Sequence, residues 1–217
     1  MIVLGLDPSL TNYGWAVHDT EAAVGDPGRC LLRGRFQTPA SMTFVDRYTD
    51  LRERLCALVA EQKPDRVGIE FPVFDNLFSE GMYGLFLYSC EALKSSGCDV
   101  VFWSPLQVKA HARESLGRPA KWVMDKVDMV EASKHDAGPG RWNHNEADAY
   151  LVARLSGRFW KLYGGDITPD DLTPVERKYF TEIHKFVRGK RAGREVRKGV
   201  MYREDERFFL WSQDAAP

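Results

Sequence analysis

Short apolar stretches with strand character alternate along the chain with longer segments of helical periodicity. Five stretches rich in β-branched or aromatic residues predict strands at residues 2–6, 13–18, 30–36, 66–70 and 98–103. The first three follow one another closely, which predicts an antiparallel meander, whereas helical segments precede the last two and predict parallel crossover pairing. The pattern therefore predicts an α/β fold with a mixed five-stranded sheet flanked by helices.

Three longer segments have helical periodicity. Residues 43–62 have apolar positions at helical spacing, which predicts an amphipathic crossover helix, and residues 143–163 predict another helix with an apolar inner face. Residues 77–93 are apolar around nearly the whole circumference. Such a helix is either buried in the core or packs one face on the sheet and the other in a homodimer interface, with Gly81 and Gly84 allowing close approach.

The composition changes after Gly164-Gly165, so we predict one domain at residues 1–163 and a C-terminal extension at residues 164–217. Within the extension, Thr173-Pro174-Val175-Glu176 fits a capping box and predicts a helix from residue 174 to about residue 187. Residues 207–211 are predicted to be a late strand or a docking segment.

The bulk properties indicate a compact protein of one domain with an appendage. The chain has 217 residues and a mass of 24.7 kDa, with 44% hydrophobic and 28% charged residues. The four cysteines lack CxxC spacing, and Cys56 and Cys90 lie in apolar helical patterns, which favours buried, reduced thiols. No signal peptide or membrane span is predicted, so we expect a cytoplasmic protein.

Basic charge is concentrated near the C-terminal end of the chain. The net charge is only −1, but residues 185–198 contain seven basic residues against Glu195 alone. The glycines and arginines of this segment are typical of an arm that binds DNA phosphates, although a solvated surface segment has the same composition. The predicted DNA-contacting residues of this arm are Lys185, Arg188, Lys190, Arg191 and Arg194.

Three carboxylates stand at the ends of predicted elements. Asp7 and Glu70 each end an apolar strand, and Asp148 lies near the start of the last long helix. Oxygen ligands of this kind suit Mg²⁺ or Mn²⁺, and two such ions joined by a bridging carboxylate can promote phosphodiester hydrolysis. We predict a two-ion site in which Asp7 is the bridge.

The chain resembles the RuvC family of Holliday junction resolvases, within the RNase H-like superfamily. The resemblance rests on four motifs in order and covers about residues 1–163. The motifs are Ile-Val-Leu-Gly-Leu-Asp7-Pro-Ser, Val-Gly-Ile-Glu70, Gln107-Val108-Lys109 followed by Lys121, and Glu146-Ala147-Asp148-Ala149-Tyr150. It implies an RNase H-like fold and a metal-dependent homodimer that nicks two opposing strands of a four-way DNA junction. It suggests a phage or mobile-element relative.

The resemblance also implies roles for individual residues. Asp7, Glu70 and Asp148 would be metal ligands. The fourth family ligand, usually an Asp three residues before the last, is here Asn145, which shares a helix face with Asp148. Glu146 and His144 are alternatives for this role, and Asn145 is alternatively only the helix cap.

Further implied residues contact the substrate. Lys109 and Lys121 match family lysines near the scissile phosphate, where a cation stabilises developing charge, although either lysine is alternatively a solvated surface residue. Phe74, which follows the Glu70 motif, would stack on an unpaired base of the junction, or alternatively lie in the core.

The leading hypothesis is a structure-selective DNA endonuclease that leaves 5′-phosphate and 3′-hydroxyl ends. A non-catalytic junction-binding module and an actin-like ATP-binding protein are alternatives, but the chain is short and lacks the Gly-rich adenosine segment expected of the actin-like class. A haloacid-dehalogenase-like phosphatase would need an Asp where Ser9 stands.

Overall fold

The computed structural model describes residues 1–71, 79–181, 183–185, 195–197, 200–204 and 207–211. The strands in these ranges are β1 (Ile2–Asp7), β2 (Asn12–Asp19), β3 (Cys30–Gln37), β4 (Arg66–Glu70), β5 (Val100–Trp103), β6 (Ile183–Lys185), β7 (Glu195–Arg197), β8 (Val200–Glu204) and β9 (Arg207–Trp211). The helices are α1 (Phe44–Gln62), α2 (Ser79–Ser95), α3 (Pro105–Ser115), α4 (Lys126–Ala137), α5 (His144–Tyr163) and α6 (Pro174–Phe180).

The predicted five-stranded mixed sheet is confirmed. Its strand order is β3-β2-β1-β4-β5, in which β1 to β3 form the antiparallel meander and β1, β4 and β5 are parallel. Two strands from the C-terminal segment, β8 and β9, continue the sheet beyond β5 in antiparallel pairing. The alternative of a late strand at residues 207–211 is therefore correct, and β6 and β7 form a separate two-stranded ladder.

Two hydrophobic layers cover the sheet, one on each face. Leu4, Leu6 and Ile69 point toward α1 and α2, which bury Leu51 and Leu85 against them. The opposite face packs against α5 and its neighbours through side chains that include Val101, Trp103, Val152, Phe159 and Phe180. Because successive strand residues point to opposite faces, each strand contributes to both layers.

Glycines bring α5 unusually close to the sheet. A Cβ atom on Gly5 would lie 2.1 Å from the carbonyl oxygen of Ala149, and one on Gly68 would lie 1.8 Å from Oγ of Ser156. Only a residue without a side chain fits at these two central positions. The helix that carries Asp148 therefore rests directly on the backbone of β1 and β4.

Helices α3 and α4 were not predicted from periodicity, but capping residues mark both of them. Ser104 and Gln107 form a capping box at the start of α3, and Pro105 occupies its first turn. Asp125 and Asp128 form the corresponding box at the start of α4. These short polar motifs accept hydrogen bonds from the free backbone N–H groups of the first turn. They were the sequence signal from which the starts of both helices could have been predicted.

The predicted helix at residues 174–187 is wrong in its second half. Thr173 caps α6 as predicted, but α6 ends at Phe180 and residues 183–185 form β6 instead. Glu176 and Phe180 are buried, and Phe180 packs against Trp103 of the sheet. The boundary between residues 163 and 164 stays a prediction, although α6 lies against the α5 face of the sheet.

Helix α2 has one buried face and one exposed apolar face. Leu85, Phe86 and Leu93 are buried, whereas Tyr83 and Leu87 are 46% and 47% exposed. The alternative of a helix buried all round is therefore wrong. Gly84 was expected to face a partner chain, but its α-carbon faces the Tyr48 ring of α1, which a Cβ would approach to 2.8 Å.

The cysteines are less buried than the pattern indicated. All four carry free thiols, and only Cys30 is buried, whereas Cys56 and Cys90 are half-buried. Among the described helices, none combines the length and apolar character that crossing a bilayer requires.

Candidate metal and phosphodiester site

Asp7 and Glu70 lie side by side at the carboxyl ends of parallel strands. Leu6 pairs with Ile69, so the two acids occupy the next positions of β1 and β4. Strand residues two apart share a face, and Gly5 and Gly68 both face α5. Both carboxylates therefore point toward the helix layer that contains Asp148.

Helix α5 brings Asp148 to the same edge of the sheet. Asn143 caps the helix by accepting a hydrogen bond from the backbone N–H of Asn145 at 2.9 Å. The helix backbone at Asn145 lies over Gly14, the partner of Asp7 in β2, and a Cβ on Gly14 would lie 2.2 Å from the Asn145 carbonyl oxygen. The three predicted acids are thus brought to one region, with half-buried side chains.

Burial raises the pKa values of all three acids, and repulsion from other acids of the group raises those of Asp7 and Glu70 further. Burial, followed by the charges of Glu70 and Asp148, raises the pKa of Asp7 well above its usual range. Burial and then the Asp148 charge raise the pKa of Glu70 to about 8. Burial raises the pKa of Asp148 to about 6. Such a concentration of disfavoured negative charge is typical of functional sites.

The donor set fits a hard divalent cation by its chemistry. Carboxylate oxygens are the ligands that Mg²⁺ and Mn²⁺ prefer, and a cation would offset the repulsion that raises these pKa values. Within the described ranges, however, no three His, Cys, Asp or Glu side chains already form a cluster able to hold a metal ion. The acids interact electrostatically, and their side chains would have to draw together around an ion.

The surroundings of Asn145 distinguish the candidates for a fourth ligand. The Asn145 side-chain amide donates a 2.8 Å hydrogen bond to the carbonyl oxygen of Asn12. Glu146 is turned away, because its carboxylate accepts from the backbone N–H of Asn143 and lies 3.5 Å from Nε of Arg33. The helix cap is Asn143, so the interpretation of Asn145 as the cap is wrong.

His144 remains close to the site. Its pKa is lowered by partial burial first and then by the charges of Lys126 and Arg35, so the imidazole is neutral at pH 7. A neutral imidazole can bind a metal ion, but it supplies no negative charge.

Two lysines face the acids, and one of them was missed. Lys109, in the first half of α3, lowers the pKa of both Glu70 and Asp148. Lys126, the first residue of α4, lowers the pKa of both Asp7 and Asp148. Lys121 is exposed in the connection between α3 and α4. No local sequence signal marks Lys126 as a site residue.

Several predicted DNA contacts lie outside the described residues. They are Phe74, Arg188, Lys190, Arg191 and Arg194. The backbone of Lys185 lies in β6, where it pairs with Glu195 of β7. The assignment of these residues to DNA binding stays a prediction.

Comparison with curated proteins decides the family. The chain is 32% identical over 176 residues to the crossover junction endodeoxyribonuclease RuvC of Ruminiclostridium cellulolyticum, which covers 76% of this chain and 99% of the relative. The chain belongs to the RuvC family. RuvC of Alkaliphilus metalliredigens is 25% identical over 172 residues, covering 75% of this chain and 98% of the relative. No family model matches the chain.

Solved RuvC structures have the same fold. Thermus thermophilus RuvC aligns with a TM-score of 0.59 at 20% identity, over 76% of this chain and 97% of that one. The same protein in complex with a Holliday junction substrate aligns with a TM-score of 0.58 at 19% identity, over 76% of this chain and 96% of that one. About a quarter of this chain thus has no counterpart in these RuvC proteins.

Proposed function

We propose that this protein is a crossover junction endodeoxyribonuclease that resolves four-way DNA junctions. The observation that carries the proposal is the arrangement of Asp7, Glu70 and Asp148 on one face of the sheet in a chain of the RuvC family. The RuvC relatives are named for this activity, and T. thermophilus RuvC binds a Holliday junction. The products would carry 5′-phosphate and 3′-hydroxyl ends.

In this proposal Asp7, Glu70 and Asp148 hold two Mg²⁺ or Mn²⁺ ions, with the side-chain amide oxygen of Asn145 as a neutral fourth ligand. Such ions supply a water of lowered pKa and stabilise the charge of the transferring phosphate. The side chains must be deprotonated to bind them, so ion binding competes with protons on Glu70 and Asp148.

Two lysine side chains near the acids have a role separate from that of the metal ions. Lys109 and Lys126 lie on the helix side of the acids, where an ammonium group can hold a substrate phosphate and stabilise its developing charge. Capping boxes fix the starts of both helices, and Lys126 is the first residue of α4 whereas Lys109 is the fifth residue of α3.

A comparison of DNA substrates tests the function. The protein is incubated with a synthetic four-way junction, a fork and a linear duplex, each with Mg²⁺, with Mn²⁺ or with EDTA. We expect paired, symmetrical nicks in the junction only when a divalent ion is present. Cutting of linear duplex at the same rate would contradict junction selectivity, and tight junction binding without cleavage under all conditions would support a non-catalytic binding module instead.

Lys126 and Lys121 are expected to behave differently. Replacing Lys126 by Ala should slow single-turnover junction cleavage by about 100-fold, because a positive charge that acts on both Asp7 and Asp148 is lost from the site. Lys121→Ala should leave the cleavage rate of bound junction within about threefold, because Lys121 is not among the charges that act on the three acids.

The two lysine variants are controls for each other, since each removes one exposed positive charge. Cleavage is measured with enzyme in excess, and junction affinity is measured separately in EDTA. A large rate loss in Lys121→Ala with little loss in Lys126→Ala would reverse the assignment and restore the role that the family resemblance gives to Lys121.

We also propose that the exposed face of α2 is a homodimer interface. Tyr83, Leu87 and Tyr88 are exposed on this helix, and Leu87 and Tyr88 line an open groove of about 430 Å³. The ion pair of Arg52 with Glu91 borders the same groove. An apolar centre with a charged rim is the usual composition of a protein interface, and two copies would supply the two active sites that paired nicking needs.

Leu87→Glu is expected to convert a dimer to a monomer, because it places a charge at the centre of this face. Mass is measured by size-exclusion chromatography with light scattering. In the monomer, nicks on the two strands should become independent events. The matched control is Ala60→Glu on the exposed side of α1, which should remain dimeric. A monomeric wild type, or a dimeric Leu87→Glu protein, would exclude this interface.

The basic segment at residues 185–198 is proposed as a DNA-binding arm, supported by where its described flanks lie. Residue 201 of β8 pairs with Phe102, so β8 starts beside Trp103, and Trp103 pairs with Glu70. The start of β8 is thus two strands from Glu70, about 10 Å away. The arm is attached at the edge of the sheet where the carboxylates lie.

Replacing Arg188, Lys190, Arg191 and Arg194 together by Gln is expected to weaken junction binding and flatten its salt dependence. The slope of log affinity against log salt should fall by about 0.9 for each phosphate contact removed. Affinity is measured by fluorescence anisotropy over a salt series in EDTA, with Lys134→Gln plus Lys178→Gln as a charge control. An unchanged slope would contradict the arm.

A further inference from the structure

A cationic cavity lies at the end of the sheet opposite the carboxylates. Its volume is about 220 Å³. It is lined by four cationic side chains, Arg29, Arg154, Arg158 and Lys161, together with His18 and Thr20. His18 pairs with Val3, at the opposite end of β1 from Asp7. We call this feature the basic cavity.

Two arginines of the basic cavity share one buried acid. Asp136 is fully buried and lies 2.9 Å from Nε of Arg29 and 3.0 Å from Nε of Arg154. Tyr150 donates a further hydrogen bond to the same carboxylate at 2.5 Å. A single negative charge therefore balances two guanidinium groups.

The other two cations are paired with acids that do not line the cavity. Arg158 donates to Glu176 from Nε at 2.9 Å and from Nη2 at 3.0 Å. Lys161 lies 2.9 Å from Oε1 of Glu21, a residue whose side chain is 65% exposed and which also pairs with the N-terminal ammonium group. The Glu21 carboxylate neutralises little of the positive charge inside the cavity, because water screens it.

The basic cavity consequently has surplus positive charge and an unused donor. The four cations face three acids, and Nη1 of Arg154 is buried with no hydrogen-bond partner among the residues that the structure describes. A buried donor without a partner is costly, so it is rarely left unused. His18 is neutral, because burial first and then the Arg29 charge lower its pKa to about 4.

We propose that the basic cavity binds a phosphate group. Guanidinium groups match the geometry of phosphate oxygens, and the arginines Arg29, Arg154 and Arg158 all line the cavity. The volume equals that of about seven water molecules, which accommodates a phosphate with part of its hydration. This phosphate group belongs either to a free phosphate ion or to the sugar-phosphate backbone of one of the duplexes of the DNA junction.

The basic cavity is distinct from the carboxylate site, and its occupancy does not rest on nuclease activity. Asp148 and Lys161 are both on α5, 13 residues apart, which corresponds to about 20 Å along the helix axis. A phosphate held here is not the one to be cleaved. A bound phosphate would instead hold in place the part of the protein that is distant from the scissile bond.

The test titrates inorganic phosphate into the full-length protein and follows the His18 ring by NMR at constant ionic strength. We expect the His18 signals to shift, while those of His135, on the exposed side of α4, do not. Lys161→Gln should weaken phosphate affinity about tenfold, and Lys134→Gln, which removes the same charge elsewhere, should leave it unchanged. Glu21→Gln should tighten it, because it removes the competing acid.

The same variants identify the source of the phosphate. If Lys161→Gln also weakens junction binding more than Lys134→Gln does, the ligand is a DNA backbone phosphate; if it does not, the ligand is a free phosphate group. The proposal is overturned if His18 does not respond to phosphate in the wild type, or if Lys161→Gln responds with wild-type affinity. Either result would make the cluster a structural ion-pair network alone.

Discussion

Asp7→Asn is expected to reduce junction cleavage by at least about 100-fold while leaving junction binding intact. Asp7 ends β1 beside β4 and interacts electrostatically with both Glu70 and Asp148, so its loss removes one of the three charges of the group. Several kcal/mol of transition-state stabilisation depend on such charges, and each 1.36 kcal/mol corresponds to a factor of ten in rate. Cleavage is measured in single turnover, and binding by anisotropy in EDTA.

The same substitution should stabilise the metal-free fold. The pKa of Asp7 is raised in the folded state, so its contribution to stability is present below the unfolded pKa near 4 and is lost as pH rises through the higher folded pKa. Glu70 has a pKa of about 8, so its contribution to stability is likewise lost as the pH rises. In EDTA we therefore expect Asp7→Asn to melt above the wild type at pH 8 and to lose this advantage toward pH 4.

Adding Mg²⁺ should reverse that order, because an ion that binds the folded wild type raises its melting temperature. The matched control is Asp19→Asn, which removes one charge at the other end of the β1–β2 pair. It should cleave at the wild-type rate. Cleavage by Asp7→Asn at the wild-type rate would show that the carboxylate site does not catalyse the reaction.

Gly5→Ala is expected to destabilise the protein by at least about 2 kcal/mol. The added methyl group would lie 2.1 Å from the Ala149 carbonyl oxygen and 2.5 Å from the Ala153 nitrogen. Both atoms belong to the backbone of α5, so the helix must move as a unit, and overpacking of this kind costs about 1–3 kcal/mol or more. The free energy of unfolding is measured by urea denaturation.

The displacement of α5 should also reach the site, because Asp148 directly precedes Ala149. Cleavage by folded Gly5→Ala protein is expected to fall even at temperatures where no unfolding occurs. Gly28→Ala is the control, since its added Cβ meets only the Asp26 side chain, at 3.2 Å. Wild-type stability of Gly5→Ala would mean that α5 can leave the sheet at little cost.

The sheet was predictable because its strands are bounded by strong local signals. Gly, Pro and Asp delimit β1, β2 and β4, and the order of apolar stretches already separates the meander from the crossovers. The extent of α6 was not predictable in this way. Its helix periodicity continues past Phe180, but burial of Phe180 against Trp103 and the pairing of residues 183–185 with β7 override it.

The geometry of the candidate site was predictable where the position of a residue in its strand determines which way its side chain points. Asp7 and Glu70 follow from their places at two parallel strand ends. Lys126 could not be predicted in the same way, because its proximity to Asp148 depends on how α4 packs on α5, for example through the Ser133 hydroxyl, which lies 3.3 Å from the Ala147 carbonyl oxygen. Contacts between helices distant in sequence have no local signature.

The hydrogen bond from Asn145 to the Asn12 carbonyl has a consequence for the order of assembly. An amide can donate to that oxygen, whereas an aspartate at this position would place a negative carboxylate 2.8 Å from it and would need a cation to be tolerated. With asparagine, the start of α5 docks on β2 by itself. We therefore expect this contact to form without an ion, so that the metal-free protein already holds the start of α5 against β2.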